Sequence, residues 1–358
     1  MGGKRVLVAM SGGVDSSVAA LLLKQKGYEL TGIFMKVSDE NDRTTVTGPS
    51  CYSPGGKDIE DLKRVAEMLG IKVVIVDLSQ QYNKVVLDYF RQEYLRGRTP
   101  NPCIVCNRYL KFGLLIEKAI ADGLNFDFFA TGHYVNVLYD SAHKRYRLKK
   151  GRDKEKDQSY FLFLLTQSQL SKSIFPLGNY IKTEVREIAR RYHLPVSDKE
   201  ESQDFVLGKK DIVFGNKIEE GRVVDKEGNT LGKHKGIIYY TIGQRKGFGI
   251  GAGKPLYVVE IDATNNKIVL GEKADLYRKQ AVMTDVHFTG VKVLTDALRC
   301  KVKIRYKHPA ADAIVYPEKD GRAKITFEKP QWAITPGQAA VCYRQDVLLG
   351  GGFIEKVL

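Results

Sequence analysis

Apolar and polar positions in the first 135 residues alternate between two periods. Arg5–Met10, Thr31–Val37, Ile71–Leu78 and Phe126–Gly132 are short apolar runs, the pattern of buried strands. Between them the apolar residues take helical spacing. Val18–Leu23 opens a helix reaching Lys26, and Ile59, Leu62, Val65, Ala66 and Leu69 mark one over Asp58–Gly70. Tyr82–Arg96 and Leu110–Asp122 are also helical in pattern. Ser38–Lys57 is polar and aperiodic, which predicts a mobile loop, and Gly97–Asn107 reads as a loop rich in Pro and Cys. Strands separated by helices predict an α/β fold with a doubly wound parallel sheet. Ligands bind such sheets beyond the carboxyl ends of the strands. Met35 and Gly132 stand at such ends, as does the turn after Ala9, so the three should converge.

The pattern then changes. Leu164–His193 reads as helices and loops. From about residue 205 the runs are short and broken by Gly, Asn and Asp: Gly221–Leu231, Ile237–Thr241, Leu256–Ile261 and Lys267–Leu270. Ala281–Leu358 behaves alike, with alternation over Ala297–Tyr306 and Gln338–Tyr343. Short strands with frequent turns predict small β-rich modules. The expected domains are residues 1–204, 205–278 and 279–358.

The turn after the first strand carries the clearest chemistry. It reads Ala9-Met10-Ser11-Gly12-Gly13-Val14-Asp15-Ser16-Ser17. Glycines let backbone approach an anion, and the unpaired N–H groups of a helix start favour phosphate. No Gly-Lys pair closes the loop, so it is not a Walker A sequence, and it suits pyrophosphate. The block Ser-Gly-Gly-Val-Asp-Ser resembles the PP-loop of enzymes that adenylate a substrate with ATP.

Composition narrows the class. The 358 residues allow two or three domains, and 43% hydrophobic content is ordinary for a globular chain. No apolar stretch nears membrane-spanning length and no leader pattern opens the chain, which gives a cytoplasmic expectation. Lys+Arg at 57 against Asp+Glu at 42 leaves +15, which points to a polyanionic partner. Five cysteines are too few for a secreted disulfide framework. Two of them, Cys103 and Cys106, form a Cys-x-x-Cys behind Thr99-Pro100-Asn101-Pro102. That spacing suits a sulfur nucleophile or a metal pair; a structural zinc lacks the second pair it would need.

Further blocks extend the resemblance: Phe34-Met35-Lys36, Lys111-Phe112, Ala130-Thr131-Gly132-His133-Tyr134 and Lys156-Asp157-Gln158-Ser159-Tyr160. Phe175-Pro176-Leu177-Gly178, Tyr240–Arg245, Lys303-Ile304-Arg305-Tyr306 and Thr335–Ala339 follow in order. Across almost the whole chain these resemble the bacterial tRNA-specific 2-thiouridylases. The resemblance implies a nucleotide-binding α/β domain and two β-rich domains, the last a β-barrel. It implies ATP with Mg²⁺, and sulfuration at the 2-position of the wobble uridine of tRNAs for Lys, Glu and Gln. ATP would contact Ala9, Met10, Ser11, Gly12, Gly13, Val14, Asp15, Ser16, Met35 and Gly132. The target base would meet Asn101, Pro102 and Cys103 beside His133. Lys156, Asp157, Gln158, Arg305, Tyr306 and Gln338 fall at tRNA-contact positions. A monomer and a sulfur donor (a cysteine desulfurase, a sulfur carrier or free sulfide) complete the expectation.

Two positions depart from the family pattern. Cys103 stands where Asp is usual, and Val206 stands where a second, sulfur-carrying cysteine is usual. Valine cannot carry sulfur, so Cys103 and Cys106 must serve otherwise. One route makes them ligands of an iron–sulfur cluster, a [4Fe-4S] centre with Cys51 as the third thiolate. The other makes Cys106 a persulfide and Cys103 its resolving thiol. A tRNA-binding protein with impaired catalysis and a ligase for a small carboxylate are the alternatives of other classes.

Overall fold

The computed structural model describes residues 3–37, 57–200, 210–215, 218–248, 254–291 and 294–358. It separates into two units. One holds Met1–Val86, Cys103–Lys209 and Asp346–Leu348; the other holds Leu87–Pro102, Lys210–Gln345 and Leu349–Leu358.

The chain begins with β1 (Arg5–Ala9), α1 (Val14–Gln25), β2 (Glu29–Lys36), α2 (Lys57–Leu69), β3 (Lys72–Asp77) and α3 (Ser79–Tyr82). Helix α4 (Asp88–Leu95) belongs to the second unit. Then come α5 (Pro102–Val105), α6 (Leu115–Ala121), β4 (Phe128–Ala130), β5 (Val135–Asp140), β6 (Arg145–Lys150), α7 (Gln167–Ser171), β7 (Ser173–Ile174) and α8 (Lys182–Arg191). The sheet of the first unit is parallel, in the order β3-β2-β1-β4-β7. Val8 is its centre, paired with Gly32 on one side and Ala130 on the other. Val6, Val8, Val18, Leu23, Leu62, Val65, Val185 and Ala189 bury one face of β1 against α1, α2 and α8. Because strand order reverses at β1, the crevice beyond Ala9 and Ala130 is a binding position.

Three sequence readings need correction. Ile71–Leu78 was expected to be a buried strand, but among the described residues β3 is an edge of the sheet and Ile75 is exposed. Gly97–Asn107 is not a loop throughout: Pro102 starts a helix, a position where its missing N–H costs nothing. Ile237–Thr241 is a 3₁₀ turn over Ile237–Tyr239. The hairpin β5–β6 and the two-residue β7 went unread because basic residues and brevity hide their period. Ser38–Lys57 falls almost wholly outside the described residues.

The second unit, which already holds α4, resumes after residue 209 with α9 (Lys210–Phe214). It contains a four-stranded sheet of β8 (Gly221–Val224), β9 (Thr230–His234), β10 (Tyr257–Asp262) and β11 (Lys267–Gly271), in the order β10-β11-β8-β9. A six-stranded antiparallel barrel follows: β12 (Tyr277–Phe288), β13 (Leu298–Lys303), β14 (Ala311–Pro317), β15 (Ala323–Trp332), β16 (Ala339–Arg344) and β17 (Val347–Val357). Pairing of β12 with both β15 and β17 closes it. Met283, Val302, Phe327 and Cys342 fill its core. Leu87–Pro102 packs here too: Phe90 and Tyr94 lie 6.0 Å and 6.1 Å from the Phe214 ring. Lys210 stands 3.8 Å from the centre of the Tyr94 ring, and burial lowers its pKa to about 8.

Candidate nucleotide and thiol site

Strand β1 ends as Met10 N–H donates to the Ile33 carbonyl, 2.9 Å away. The chain then turns through Gly12 at φ +70, where a side chain would collide with the Asp58 carbonyl 2.2 Å from its Cβ. Gly13 begins α1 with no side chain capping the exposed N–H groups. Within the turn, Ser16 Oγ accepts from Ser11 N–H at 3.1 Å and donates to the Gly13 carbonyl at 3.1 Å. Ser17 Oγ donates to the same carbonyl at 2.8 Å. The hydroxyls hold the turn while the first helical amides stay available to an anion.

Two lysines distant in sequence fix this turn. Lys199 Nζ donates to the Gly12 carbonyl at 3.0 Å and to Asp58 and Asp61 at 2.6 Å each; these partners hold its pKa above the ordinary lysine value against burial. Lys182 Nζ lies 2.7 Å and 2.8 Å from the two Asp15 carboxylate oxygens, and Tyr134 Oη donates to the same carboxylate at 2.7 Å.

The pocket beyond the strand ends is lined by Ala9, Met10, Ser11, Asp15, Ser16, Ile33, Met35, Lys111, Leu115, Thr131, Gly132, His133 and Gln158. It therefore brings together Ala9, Met10, Ser11, Asp15, Ser16, Met35 and Gly132 of the residues assigned to ATP. Gly12 and Gly13 shape the turn behind them, and Val14 points into the core. Gly132 is a close approach of backbone to backbone, since a Cβ there would sit 2.9 Å from Ser16 N. Ile33, Met35 and Leu115 give an apolar wall suited to a planar base; Lys111 and the serines give the polar side.

His133 is buried, with Nδ1 2.7 Å from Thr131 Oγ1. Burial first, and the Lys111 charge second, push its pKa well below the ordinary value, so its ring is neutral at pH 7. Gln158 pins the backbone of Tyr134, accepting from its N–H at 3.0 Å. Asp157 is buried and accepts from Gly151 N–H, Ser159 N–H and Ser159 Oγ. Lys156 is half-buried beside it.

Cys103 and Cys106 are half-buried. Cys103 lies in α5, and Cys106 begins a π-helical stretch, Cys106–Leu114, that runs into α6. A three-residue spacing on a helix puts both thiols on one face. A π-helix links residues five apart, so Cys106 and Lys111 share a side, and Lys111 lines the nucleotide pocket. Among the described residues no group of three His, Cys, Asp or Glu is placed to hold a metal ion. Cys51 lies outside the described residues, as do Ser202–Val206. Cys300 and Cys342 are buried in the barrel, where contact with Cys300 and burial push the Cys342 thiol well up.

In the second unit, Asn101 is buried and its N–H donates to Tyr89 Oη at 3.3 Å; Pro102 is buried beside it. Arg305 donates to the carbonyls of Ile242 and Ala333, each at 2.9 Å, and to Thr335 Oγ1. Tyr306 is beside it, its ring 5.3 Å from Lys303 Nζ. Gln338 Nε2 donates to the carbonyls of Thr99 and Pro100 at 3.0 Å and 3.1 Å.

Sequence reasoning did not assign Lys111, Thr131, Tyr134, Lys182 or Lys199 to the site. Lys111, Thr131 and Tyr134 stand inside blocks already singled out. Lys182 and Lys199 gave no local signal, being 167 and 187 residues from Asp15 and Gly12.

The glycine turn, the uncapped helix and the switch point define an ATP-using α/β domain of the PP-loop type. Comparison with known proteins agrees along the whole chain. Residues 4–209 match the family model "tRNA methyl transferase HUP domain", 214–272 its PRC-barrel domain and 278–354 the aminomethyltransferase β-barrel domain. The tRNA-specific 2-thiouridylase of Acetivibrio thermocellus is 44% identical over 99% of this chain and 100% of its own. Those of Caldicellulosiruptor saccharolyticus and Caldanaerobacter subterraneus are 46% and 47% identical, covering 99% and 98% of each chain. The chain belongs to the tRNA-specific 2-thiouridylase family. No helix among the described residues is long and apolar enough to cross a membrane.

Proposed function

We infer that this chain is a tRNA 2-thiouridylase that activates a uridine with ATP and then replaces its 2-oxygen by sulfur. The observation that carries the reading is the helix Cys103–Ala121, which bears two thiols at its start and pocket-lining Lys111 and Leu115 further on. Nucleotide and sulfur chemistry thus share one element. A methyl transfer, which the family-model name suggests, would use neither the glycine turn nor the thiols.

The 2-carbonyl oxygen of uridine is a poor leaving group, so it first attacks the α-phosphorus of ATP and pyrophosphate departs. The amides opened by Gly12 and Gly13, with Ser11 and Ser16, suit the departing anion. Neutral His133 and the Ile33–Met35 wall keep that end of the pocket dry. Mg²⁺, when bound, would neutralise phosphate charge, and Asp15 is a carboxylate lining the pocket that could hold it. Cys106, loaded as a persulfide by a sulfur donor, attacks C2 through its outer sulfur and AMP leaves. Cys103 thiolate then attacks the Cys106 sulfur. The S–S bond to the base breaks, 2-thiouridine is released, and a Cys103–Cys106 disulfide remains for an external thiol to reduce. Val206 in place of a second sulfur-carrying cysteine is compatible with this pair acting alone. The iron–sulfur route needs Cys51 with Cys103 and Cys106, and Cys51 lies outside the described residues.

The substrate reading is the wobble uridine of tRNAs for Lys, Glu and Gln, bound by a monomer in the cytoplasm. The +15 charge supports a polyanion, and the target base must leave its stack to reach a recessed pocket. The test is incubation of unmodified tRNA with the enzyme, ATP and a persulfide donor, followed by nucleoside mass spectrometry. ATP-dependent 2-thiouridine, lost with Cys106→Ala, is expected. Iron-free protein with full activity speaks for the persulfide route; activity that tracks iron content overturns it. Absence of thionucleoside from every tRNA would sink the function.

A further inference from the structure

We propose that Lys199 is a positioning residue for the phosphate end of the nucleotide site, holding the Gly12–Gly13 peptide with its N–H toward the anion; this rests on the ATP-using half of the thiolation reading. Lys199, Gly12, Asp58 and Asp61 all belong to the first unit. The Gly12 carbonyl accepts from Lys199 Nζ at 3.0 Å, and Asp58 and Asp61 anchor the same ammonium at 2.6 Å each. Both carboxylates are buried. None of these three side chains lines the nucleotide pocket, whereas Ser11, Asp15 and Ser16, on either side of the peptide, do. The peptide is trans and planar, so its C=O and N–H point in opposite directions. With the carbonyl drawn to Lys199, the Gly13 N–H is turned away from the carboxylates, and among the described residues it meets no acceptor.

This peptide needs an outside hold because glycine stands on both sides of it. Its neighbour is fixed locally: the Gly13 carbonyl accepts from Ser16 Oγ at 3.1 Å, from Ser17 Oγ at 2.8 Å and from Ser17 N–H at 3.2 Å. The Gly12 carbonyl is instead held from 187 residues away. Gly12 sits at φ +70 and Gly13 at φ −102. Rotating the peptide between them by about 180° would carry Gly13 to a φ of about +80, a region that glycine enters freely and bulkier residues do not. The flipped turn would aim a carbonyl oxygen at the incoming phosphate in place of an N–H. The charge-assisted bond from Lys199, about twice as strong as a neutral one, opposes that flip. The glycines that let the turn approach an anion are the reason it needs the lysine.

The experiment removes the lysine without stranding buried charge, by combining Lys199→Met with Asp58→Asn and Asp61→Asn. Locally this removes one positive and two negative charges, so electrostatics alone would strengthen anion binding. The same three changes are then made in a Gly13→Ala background, where alanine keeps the observed φ but disfavours the flipped one. The added Cβ would lie 3.4 Å from Ser11 Oγ, an ordinary contact. Titration calorimetry with magnesium pyrophosphate and with ATP, without tRNA, gives Kd for the four proteins of this double-mutant cycle. Expected is a loss of pyrophosphate affinity of about tenfold or more on removing the lysine with Gly13 present, and of less than about threefold in the Gly13→Ala background. Equal losses in the two backgrounds would make Lys199 a folding residue rather than a lock on the peptide and overturn the proposal, as would unchanged affinity in the first. Either result stands whether or not the wild type thiolates tRNA, so failure here is separable from failure of the functional reading.

Discussion

The Lys182 ammonium faces both carboxylate oxygens of Asp15 at 2.7 Å and 2.8 Å, across 167 residues of sequence. Asp15 lies in the first turn of α1, where a carboxylate competes with an incoming phosphate for the same helix amides. Held by Lys182 and Tyr134 Oη, it is kept off them.

Lys182→Met should therefore lower apparent ATP affinity by about tenfold, the equivalent of about 1.4 kcal/mol, and slow pyrophosphate release with it. Tyr134→Phe removes one neutral donor and should cost less. Pyrophosphate release measured over ATP concentration gives both; equal behaviour of Lys182→Met and wild type refutes the assignment.

Gly132→Ala tests the close approach between β4 and α1. The added Cβ would lie 2.9 Å from Ser16 N and 3.0 Å from the Asp15 carbonyl oxygen, both backbone atoms that cannot swing aside. Overpacking of this kind costs about 1–3 kcal/mol. Calorimetry should show a lowered melting temperature and loss of stabilisation by ATP.

The buried His133 gives the stability a pH dependence. Its folded pKa is depressed by burial and by Lys111, so below about pH 6.5 the unfolded chain binds a proton that the folded chain refuses. Stability is then full above that pH and falls as pH drops toward the folded pKa. Urea midpoints measured from about pH 7.5 down to about pH 5 should decline in wild type and flatten in His133→Asn.

Cys103→Ala should leave adenylation intact and stall sulfur release. A covalent Cys106–tRNA adduct should accumulate, visible on a non-reducing gel and discharged by added thiol. Turnover should fall by about tenfold or more and recover with dithiothreitol. Failure to see either adduct or thiol rescue would remove Cys103 from the resolving role.

Most of the α/β unit was legible because its strands are continuous apolar runs and its turns carry glycine. Val8, Leu23 and Leu62 announced their burial through spacing alone, as did the turn at Gly12 and Gly13. Ile75 misled because hydrophobicity does not say which strand is an edge. Ser173–Ile174 was invisible because two residues have no period. At the site, residues close to the glycine turn in sequence were readable, whereas Lys182 and Lys199 were not: an ion pair over such separations is a product of topology. The thiol helix was misread as loop because Pro102, a helix breaker in an interior, is a helix starter at the first position.

The allotment of Leu87–Pro102 to the β-rich half has a practical sequel for anyone dissecting the molecule. A fragment truncated after residue 209 keeps α4 but strips it of Phe214 and Lys210, exposing Phe90 and Tyr94 to solvent. Chimeras that exchange the C-terminal modules between relatives should therefore transplant this sixteen-residue insert (Leu87 to Pro102) as well, because it was built to fit the module being replaced.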